Sequence, residues 1–168
     1  MGMAEAVIAD HPGPVYMRLL RGQVPDVLSE YDCTFELGKA KLLRDGRDVL
    51  FVASGLMTMR VLDAAKALQK DGVDCGVLHV PTIKPLDTAT ILAEASKGGR
   101  LVVTVENHSV VGGLGEAVAA TLMRAGVHVP FRQIGLPDAF LDAGALPTLH
   151  DQYGISVDAV TAQVKGWL

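Results

Sequence analysis

The chain has 168 residues, of which 49% are hydrophobic and 20% are charged, a composition that suits one packed domain with some chain to spare. A formal charge of −4 gives no support to binding of nucleic acid or anionic membrane, which need a concentrated basic face. No apolar run approaches the roughly 20 residues of a membrane span. Cys33 and Cys75 lack the spacing of a metal site, and we interpret both as buried free thiols of a cytoplasmic protein.

The N-terminal stretch predicts a helical turn and then a lone strand. Residues 1–10 are compatible with a helix, PGP at 12–14 is a turn, and VYMRL at 15–19 favours a short strand. Arg18 and Arg21 lie at the exit of this strand. A guanidinium fork suits recognition of phosphate or carboxylate, although a solvated ion pair is the commoner role of such an arginine. Residues 23–35 show no stable period and are predicted to be a linker.

From residue 36 onward the pattern becomes regular. One strand is predicted before RDGR and one after it, and Asp45 and Gly46 would supply the turn with positive φ that joins them. Further strands are predicted in VDCGVLHV, RLVVTVEN and VPFRQIGLP, and helices in LMTMRVLDAAKALQKDG, PLDTATILAEASKGG, GGLGEAVAATLMRAG, ALPTLHDQYG and SVDAVTAQVKGWL. Gly72 would end the first of these helices, Asp87 or Thr88 would cap the second, and Ser156 the last.

Strands that alternate with helices indicate βαβ units and a mostly parallel sheet covered on both faces. The first strand is joined by a tight turn, so it must run antiparallel to its neighbour. The sequence therefore predicts an α/β domain over residues 36–168. Its architecture would be a three-layer α/β/α sandwich around a five-stranded, mostly parallel sheet with an antiparallel first strand.

Ligands of open parallel sheets bind beyond the carboxyl ends of the strands, which makes the end of VVTVENH a candidate site. Glu106 and His108 could form an acid and base pair there, because residues i and i+2 of a strand face the same side. We favour a structural alternative, in which Glu106 or Asn107 binds loop amides and His108 packs at an interface. The five histidines, at 11, 79, 108, 128 and 150, show no metal-ligand spacing, so no metal site is expected.

The motif GGLGEAV is a partial match to a dinucleotide-binding loop. It follows its strand only after the detour HSVV, and no acidic residue ends the next strand. We favour the interpretation that Gly112, Gly113 and Gly115 let the helix begin close against a neighbouring element.

Taken together, these segments resemble the C-terminal part of the transketolase family of thiamine-diphosphate enzymes. That family includes transketolase, 1-deoxyxylulose-5-phosphate synthase and the beta subunits of 2-oxo acid dehydrogenases. The matching stretches follow the family's order over nearly all of the chain: GPVYMRLLRG, DVLFVASGLM, LHVPTIKPLD, LVVTVENHSVVGGLGEAVA, IGLPDAF and YGISVDAVTAQVKGWL. The resemblance implies a transketolase C-terminal fold for residues 36–168. Residues 1–22 would be the remnant of a pyrimidine-binding domain whose body is absent from this chain.

The resemblance also implies a function. The full enzyme would transfer two-carbon ketol units between sugar phosphates, using thiamine diphosphate and magnesium held by other domains. This segment is then expected to bind no cofactor, to hold no catalytic residue and to be inactive alone. Arg21 matches the arginine that contacts the substrate phosphate, and Arg18 matches a neighbouring position. The expected partners are a second copy of the chain, or the subunit or domains that carry the cofactor.

Four alternatives stay open at this point. The chain could be the C-terminal part of a 1-deoxyxylulose-5-phosphate synthase or of a 2-oxo acid dehydrogenase beta subunit. Arg21 would bind a substrate phosphate in the synthase but not in the dehydrogenase subunit. It could be a stand-alone protein-interaction module. It could also be a nucleotide-binding oxidoreductase domain, an alternative that only the GGLG motif supports.

Overall fold

The computed structural model describes residues 8–20, 28–31 and 34–168. Five strands form one sheet in the order β1-β3-β2-β4-β5, with β1 antiparallel to β3 and every other pair parallel. The strands are β1 (Lys41–Arg44), β2 (Val49–Ala53), β3 (Cys75–His79), β4 (Leu101–Ser109) and β5 (Phe131–Leu136). The predicted α/β class, the five strands and the antiparallel first strand are confirmed.

Helices cover both faces of this sheet and complete the three layers. Core residues of α1 and α5 pack on one face, and those of α2 and α3 pack on the other. The helices are α1 (Leu56–Lys70), α2 (Thr88–Ala95), α3 (Leu114–Arg124), α4 (Leu146–Gln152) and α5 (Val157–Trp167), and a short 3-10 helix spans Leu28–Tyr31. None of the helices in the described ranges combines the length and apolar character needed to cross a membrane.

The central strand β2 shows why the sequence forms this sheet. All five of its residues are buried and apolar, and successive side chains point to opposite faces of the sheet. Phe51 points into the core under α1 and α5, whereas Leu50 and Val52 point into the core under α2 and α3. A strand buried on both faces is mostly apolar, as β2 is throughout. The first six residues of β4 are also buried, and Thr104 and Glu106 are the polar residues among them.

The predicted hairpin between the first two strands is wrong, because β1 pairs with β3 and not with β2. The turn at Asp45 and Gly46 instead carries the chain across the start of β3. Gly46 does not adopt the left-handed conformation that was predicted for it. A Cβ atom at this position would lie 2.2 Å from backbone atoms of both Cys75 and Gly76, so the glycine is required for close approach of two backbones.

The predicted helix ends agree with the structure. Asp87 caps α2 by accepting a hydrogen bond from the amide of Thr90, and Ser156 caps α5 by accepting one from the amide of Ala159. Gly72 follows the end of α1 with a φ of 83°, the left-handed conformation typical of a helix terminus.

The N-terminal region differs from the prediction. The strand predicted at 15–19 does not form, and residues 14–20 have no regular structure and are largely exposed. The physical reason is that a strand needs a neighbour, and no described strand pairs with this segment. Arg21 and most of the predicted linker, residues 23–35, lie outside the described residues, and so does Cys33.

Candidate functional site

The carboxyl edge of the sheet brings together the ends of β2, β3, β4 and β5. The order of connections reverses between β2 and β4, since the chain leaves β2 through α1 toward β3 and leaves β4 through α3 toward β5. This is the position at which open α/β sheets usually bind ligands.

Glu106 is buried at the end of β4 and occupies the start of α3. Its Oε2 accepts a hydrogen bond from the amide of Leu114 at 2.8 Å, and its Oε1 accepts one from the amide of Gly115 at 2.9 Å. A carboxylate at this place satisfies two amides of the helix end and interacts favourably with the helix dipole. Glu106 thus ties β4 to α3.

The glycine-rich loop fits closely around this carboxylate. A Cβ atom at Gly113 would lie 2.1 Å from Oε2 of Glu106, and one at Gly115 would lie 2.4 Å from Cδ of Gln133. Gly112 adopts a φ of 71°, and its amide donates to Oε2 of Glu116. The glycines serve close packing of the loop. Because Glu106 fills the position that a pyrophosphate would need, the geometry argues against the nucleotide-binding alternative.

Asn107 and His108 lie in β4 where its pairing with β5 is irregular. The pairing register between β4 and β5 shifts between Val105 and Ser109. His108 is exposed, and its Nδ1 lies 3.2 Å from the carbonyl oxygen of Ser109, so no hydrogen bond joins it to Glu106. The acid and base pair considered from the sequence is therefore not formed.

The same edge contacts the N-terminal segment. The exposed guanidinium of Arg18 donates from Nη1 to the main-chain carbonyl oxygen of Asn107. This hydrogen bond joins the irregular residues 14–20 to the end of β4. Arg21, the other predicted phosphate ligand, lies outside the described residues.

A buried pair that sequence reasoning missed lies at the end of β3. Nδ1 of His79 is 2.7 Å from Oγ1 of Thr58 on α1, and this hydroxyl also lies 3.3 Å from the carbonyl oxygen of Ala53. Burial lowers the pKa of His79 to about 4, so the imidazole is neutral at physiological pH. The signal in the sequence is a polar residue at the end of an apolar strand, but its partner is 21 residues away along the chain.

The described residues do not fit the cofactor that the resemblance implies for the complete enzyme. The one glycine-rich helix start at the sheet edge already holds a carboxylate. Within residues 8–20, 28–31 and 34–168, no group of three or more His, Cys, Asp or Glu side chains is arranged to hold a metal ion. No chemical step can be assigned to thiamine diphosphate on these side chains.

Comparison with known proteins gives consistent matches over this fold. A family model described as "Transketolase, C-terminal domain" matches residues 38–160. The transketolase family protein y4mN of Sinorhizobium fredii is 72% identical over 166 residues, which cover 98% of this chain and 48% of that protein. The 6-deoxy-6-sulfo-D-fructose transketolase subunit SqwH of a Clostridium species is 43% identical over 153 residues, which cover 91% of this chain and 47% of that protein.

A solved structure agrees with these sequences. It is described as a split-gene transketolase, an inactive beta4 tetramer, and it matches with a TM-score of 0.89 and 38% identity over 98% of this chain and 53% of that chain. The chain thus spans about half the length of each of these three proteins. It belongs to the transketolase family, whose C-terminal domain it contains.

Proposed function

We propose that this chain is the C-terminal part of a thiamine-diphosphate-dependent transketolase that transfers two-carbon ketol units between sugar phosphates. Its similarity to transketolase proteins and subunits over about half their length supports this assignment. The cofactor and magnesium would be held by the portion that supplies the other half of the enzyme. The chain itself contributes a structural domain and substrate contacts.

The observation that carries the proposal is the contact between Arg18 and Asn107. It joins an exposed, irregular segment to the sheet edge where ligands of this architecture bind. The segment's main-chain groups have no main-chain partner among the residues that the structure describes, and another sheet can satisfy them. We interpret residues 1–22 as the end of the pyrimidine-binding domain, 23–35 as the linker and 36–168 as the C-terminal domain.

The two arginines then have different roles. Arg18 uses Nη1 for the main chain of Asn107, so this residue orients the segment and has fewer donors left for a ligand. Arg21 follows three residues later and would bind the phosphate of the sugar substrate, for which a guanidinium fork is well suited. Glu106, Asn107, His108, Gly112 and Gly113 would shape the loop that receives the segment.

The proposed assembly is a homo-oligomer, combined with the subunit or domains that carry the cofactor. The exposed apolar side chains of Val15, Tyr16 and Leu19 support it, because they offer contact area to another polypeptide. We propose the cytoplasm as the compartment, since Cys75 is a buried free thiol.

Calorimetric titration of the chain alone with thiamine diphosphate and magnesium tests the division of roles. We expect no saturable heat, because the described residues contain no cradle for a pyrophosphate. The same titration of the chain assembled with the cofactor-bearing subunit is the positive control. Micromolar binding by the chain alone would contradict the proposal.

Arg21→Ala in the assembled enzyme tests the substrate role. We expect KM for xylulose 5-phosphate to rise roughly ten- to hundredfold, because a hydrogen bond to a charged group contributes about 1.5–3 kcal/mol. KM for an unphosphorylated ketose should change little. Arg47→Ala is the matched control, since Arg47 is an exposed arginine near the amino end of β2. Equal increases for both substrates would refute the phosphate role.

A further inference from the structure

An apolar groove lies between α3 and the stretch of chain that enters β5. Its volume is about 430 Å³, and all of its lining residues except His128 are apolar. Met123 forms part of the α3 wall and is 66% exposed, and Phe131 at the start of β5 is only partly buried. Apolar surface of this kind, collected in one concave place, favours contact with an apolar side chain of another molecule.

The charge around the groove indicates what that molecule carries. Residues 117–137 include the groove and contain no Asp or Glu, although the whole chain has a formal charge of −4. Arg124 and Arg132 belong to this stretch, and neither forms an ion pair with a carboxylate in the described ranges. Arg132 lies over the ring of Trp167, 5.9 Å from its centroid, and keeps its charge. The groove therefore suits an apolar side chain that has acidic residues beside it.

The loop that follows β5 has this chemistry. Residues 137–145 are exposed, and the side chain of Phe140 is fully open to solvent. Asp138 and Asp142 stand two residues before and two residues after Phe140, and the partly exposed Leu141 adds apolar surface.

The loop is also held in place before any contact forms. The carboxylate of Asp142 accepts hydrogen bonds from Nε2 of Gln152 at 2.7 Å and from the hydroxyl of Tyr153 at 3.1 Å. The amide of Asp142 donates to the same hydroxyl at 3.0 Å. A loop fixed in this way loses less conformational entropy on binding than a free one.

We propose that Phe140 of one copy of this chain occupies the groove between α3 and β5 of a second copy, with Asp138 and Asp142 near Arg124 and Arg132. One copy does not fill its own groove, because the loop and the groove lie at opposite ends of β5, whose six residues span about 20 Å. In a twofold dimer each copy gives its loop to the groove of the other, so the interface is closed. The proposal rests on the homo-oligomer of the proposed function and names the surfaces through which two copies meet.

Sedimentation of the whole chain over a concentration series tests the interface. Phe140→Ser removes the inserted side chain, and Met123→Glu places a charge in the groove. We expect each variant to raise the Kd of self-association about a hundredfold, because each one loses two equivalent contacts that contribute roughly tenfold apiece. Both residues are exposed, so circular dichroism should show an unchanged fold. Ile83→Ser is the matched control, since Ile83 is an exposed apolar residue between β3 and α2, and it should keep the parent Kd.

A disulfide cross-link tests the contact directly. Chains with Met123→Cys are mixed with chains with Phe140→Cys, both in a Cys33→Ser background, and oxidised glutathione is added. Cys75 is buried and should not react. We expect a disulfide-linked pair of chains, because the two new thiols meet across the interface. Replacing Met123→Cys by Ile83→Cys should give no such pair.

Three outcomes would overturn the interface, and they differ in what else they change. Parent Kd values in Phe140→Ser and Met123→Glu, without a cross-link, would place self-association elsewhere and leave the proposed homo-oligomer intact. A parent chain that stays monomeric at every concentration would remove the homo-oligomer as well, but not the transketolase assignment. A Phe140→Ser variant that weakens only assembly with the cofactor-bearing subunit would assign the loop to that subunit.

Discussion

The sheet domain and the N-terminal segment use apolar side chains in opposite ways. In the domain, apolar residues of all three central strands are buried on both faces of the sheet. In the segment, large apolar side chains point to solvent, and Tyr16 is 89% exposed. The difference indicates that the free energy of folding comes from the domain, whereas the segment keeps surface free for contact with another polypeptide.

Among the residues that the structure describes, one side-chain hydrogen bond joins the two regions. The hydrogen bond from Arg18 to Asn107 joins the segment to the end of β4 through a main-chain carbonyl. A single exposed hydrogen bond stabilises such a contact by only about 1 kcal/mol. The segment is therefore expected to be ordered fully only when a further polypeptide packs on it.

Matched truncation of one aromatic residue in each region should give the largest difference. Phe51→Ala is expected to lower the free energy of unfolding by about 3–5 kcal/mol, because Phe51 is fully buried in the central strand. Tyr16→Ala should change it by less than about 0.5 kcal/mol, because the ring has little to lose on truncation. Urea unfolding followed by circular dichroism measures both.

Comparable losses in the two variants would mean that the segment packs on the domain in solution. That result would remove the contrast between the regions. It would also weaken the proposal that residues 14–20 pair with a sheet of another polypeptide.

The second effect is a pH dependence that only the domain should show. The folded pKa of His79 is lowered to about 4 from 6.5, so between these values the unfolded chain binds a proton that the folded chain does not. The contribution of His79 is fully present above pH 6.5 and is lost as the pH falls toward 4. From pH 7 to pH 5 we expect a loss of about 2 kcal/mol, measured by urea unfolding at each pH.

His79→Gln should remove most of this slope of unfolding free energy against pH, since it deletes the titrating group. Burial also lowers the pKa of His150, so a slope of the same sign and smaller size should remain. His108→Gln is the matched control, because His108 is an exposed histidine at the same edge, and it should keep the parent slope. An unchanged slope in His79→Gln would contradict the assignment.

Much of the domain could be predicted because its signals are local. The β-branched run of β4 and the Asp87 cap of α2 each depend on residues close in sequence. The hairpin prediction was wrong because strand pairing depends on contacts between residues far apart in sequence. Whether β1 lies beside β2 or β3 depends on the approach of Gly46 to the backbone of Cys75, a contact that the turn sequence does not encode.

The candidate site was harder to predict than the fold. The pair of Thr58 and His79 is separated by 21 residues, and the pair of Arg60 and His150 by 90 residues. Each residue alone looks like an ordinary helix or strand position. Their polar atoms come together only in the folded structure, so no local sequence pattern predicts either pair.

The last effect concerns Glu106, at the edge where the two regions meet. Glu106→Gln leaves one acceptor oxygen for the two buried amides of Leu114 and Gly115, and turns an N–H group toward the other. We expect a loss of about 1–3 kcal/mol in unfolding free energy and faster hydrogen exchange at these two amides. Glu116→Gln is the matched control, because Glu116 is exposed and, among the described residues, accepts only from the amide of Gly112. If Glu106→Gln were as stable as the parent, the carboxylate would not be what ties β4 to α3, and the glycine loop would again be open to an external anion.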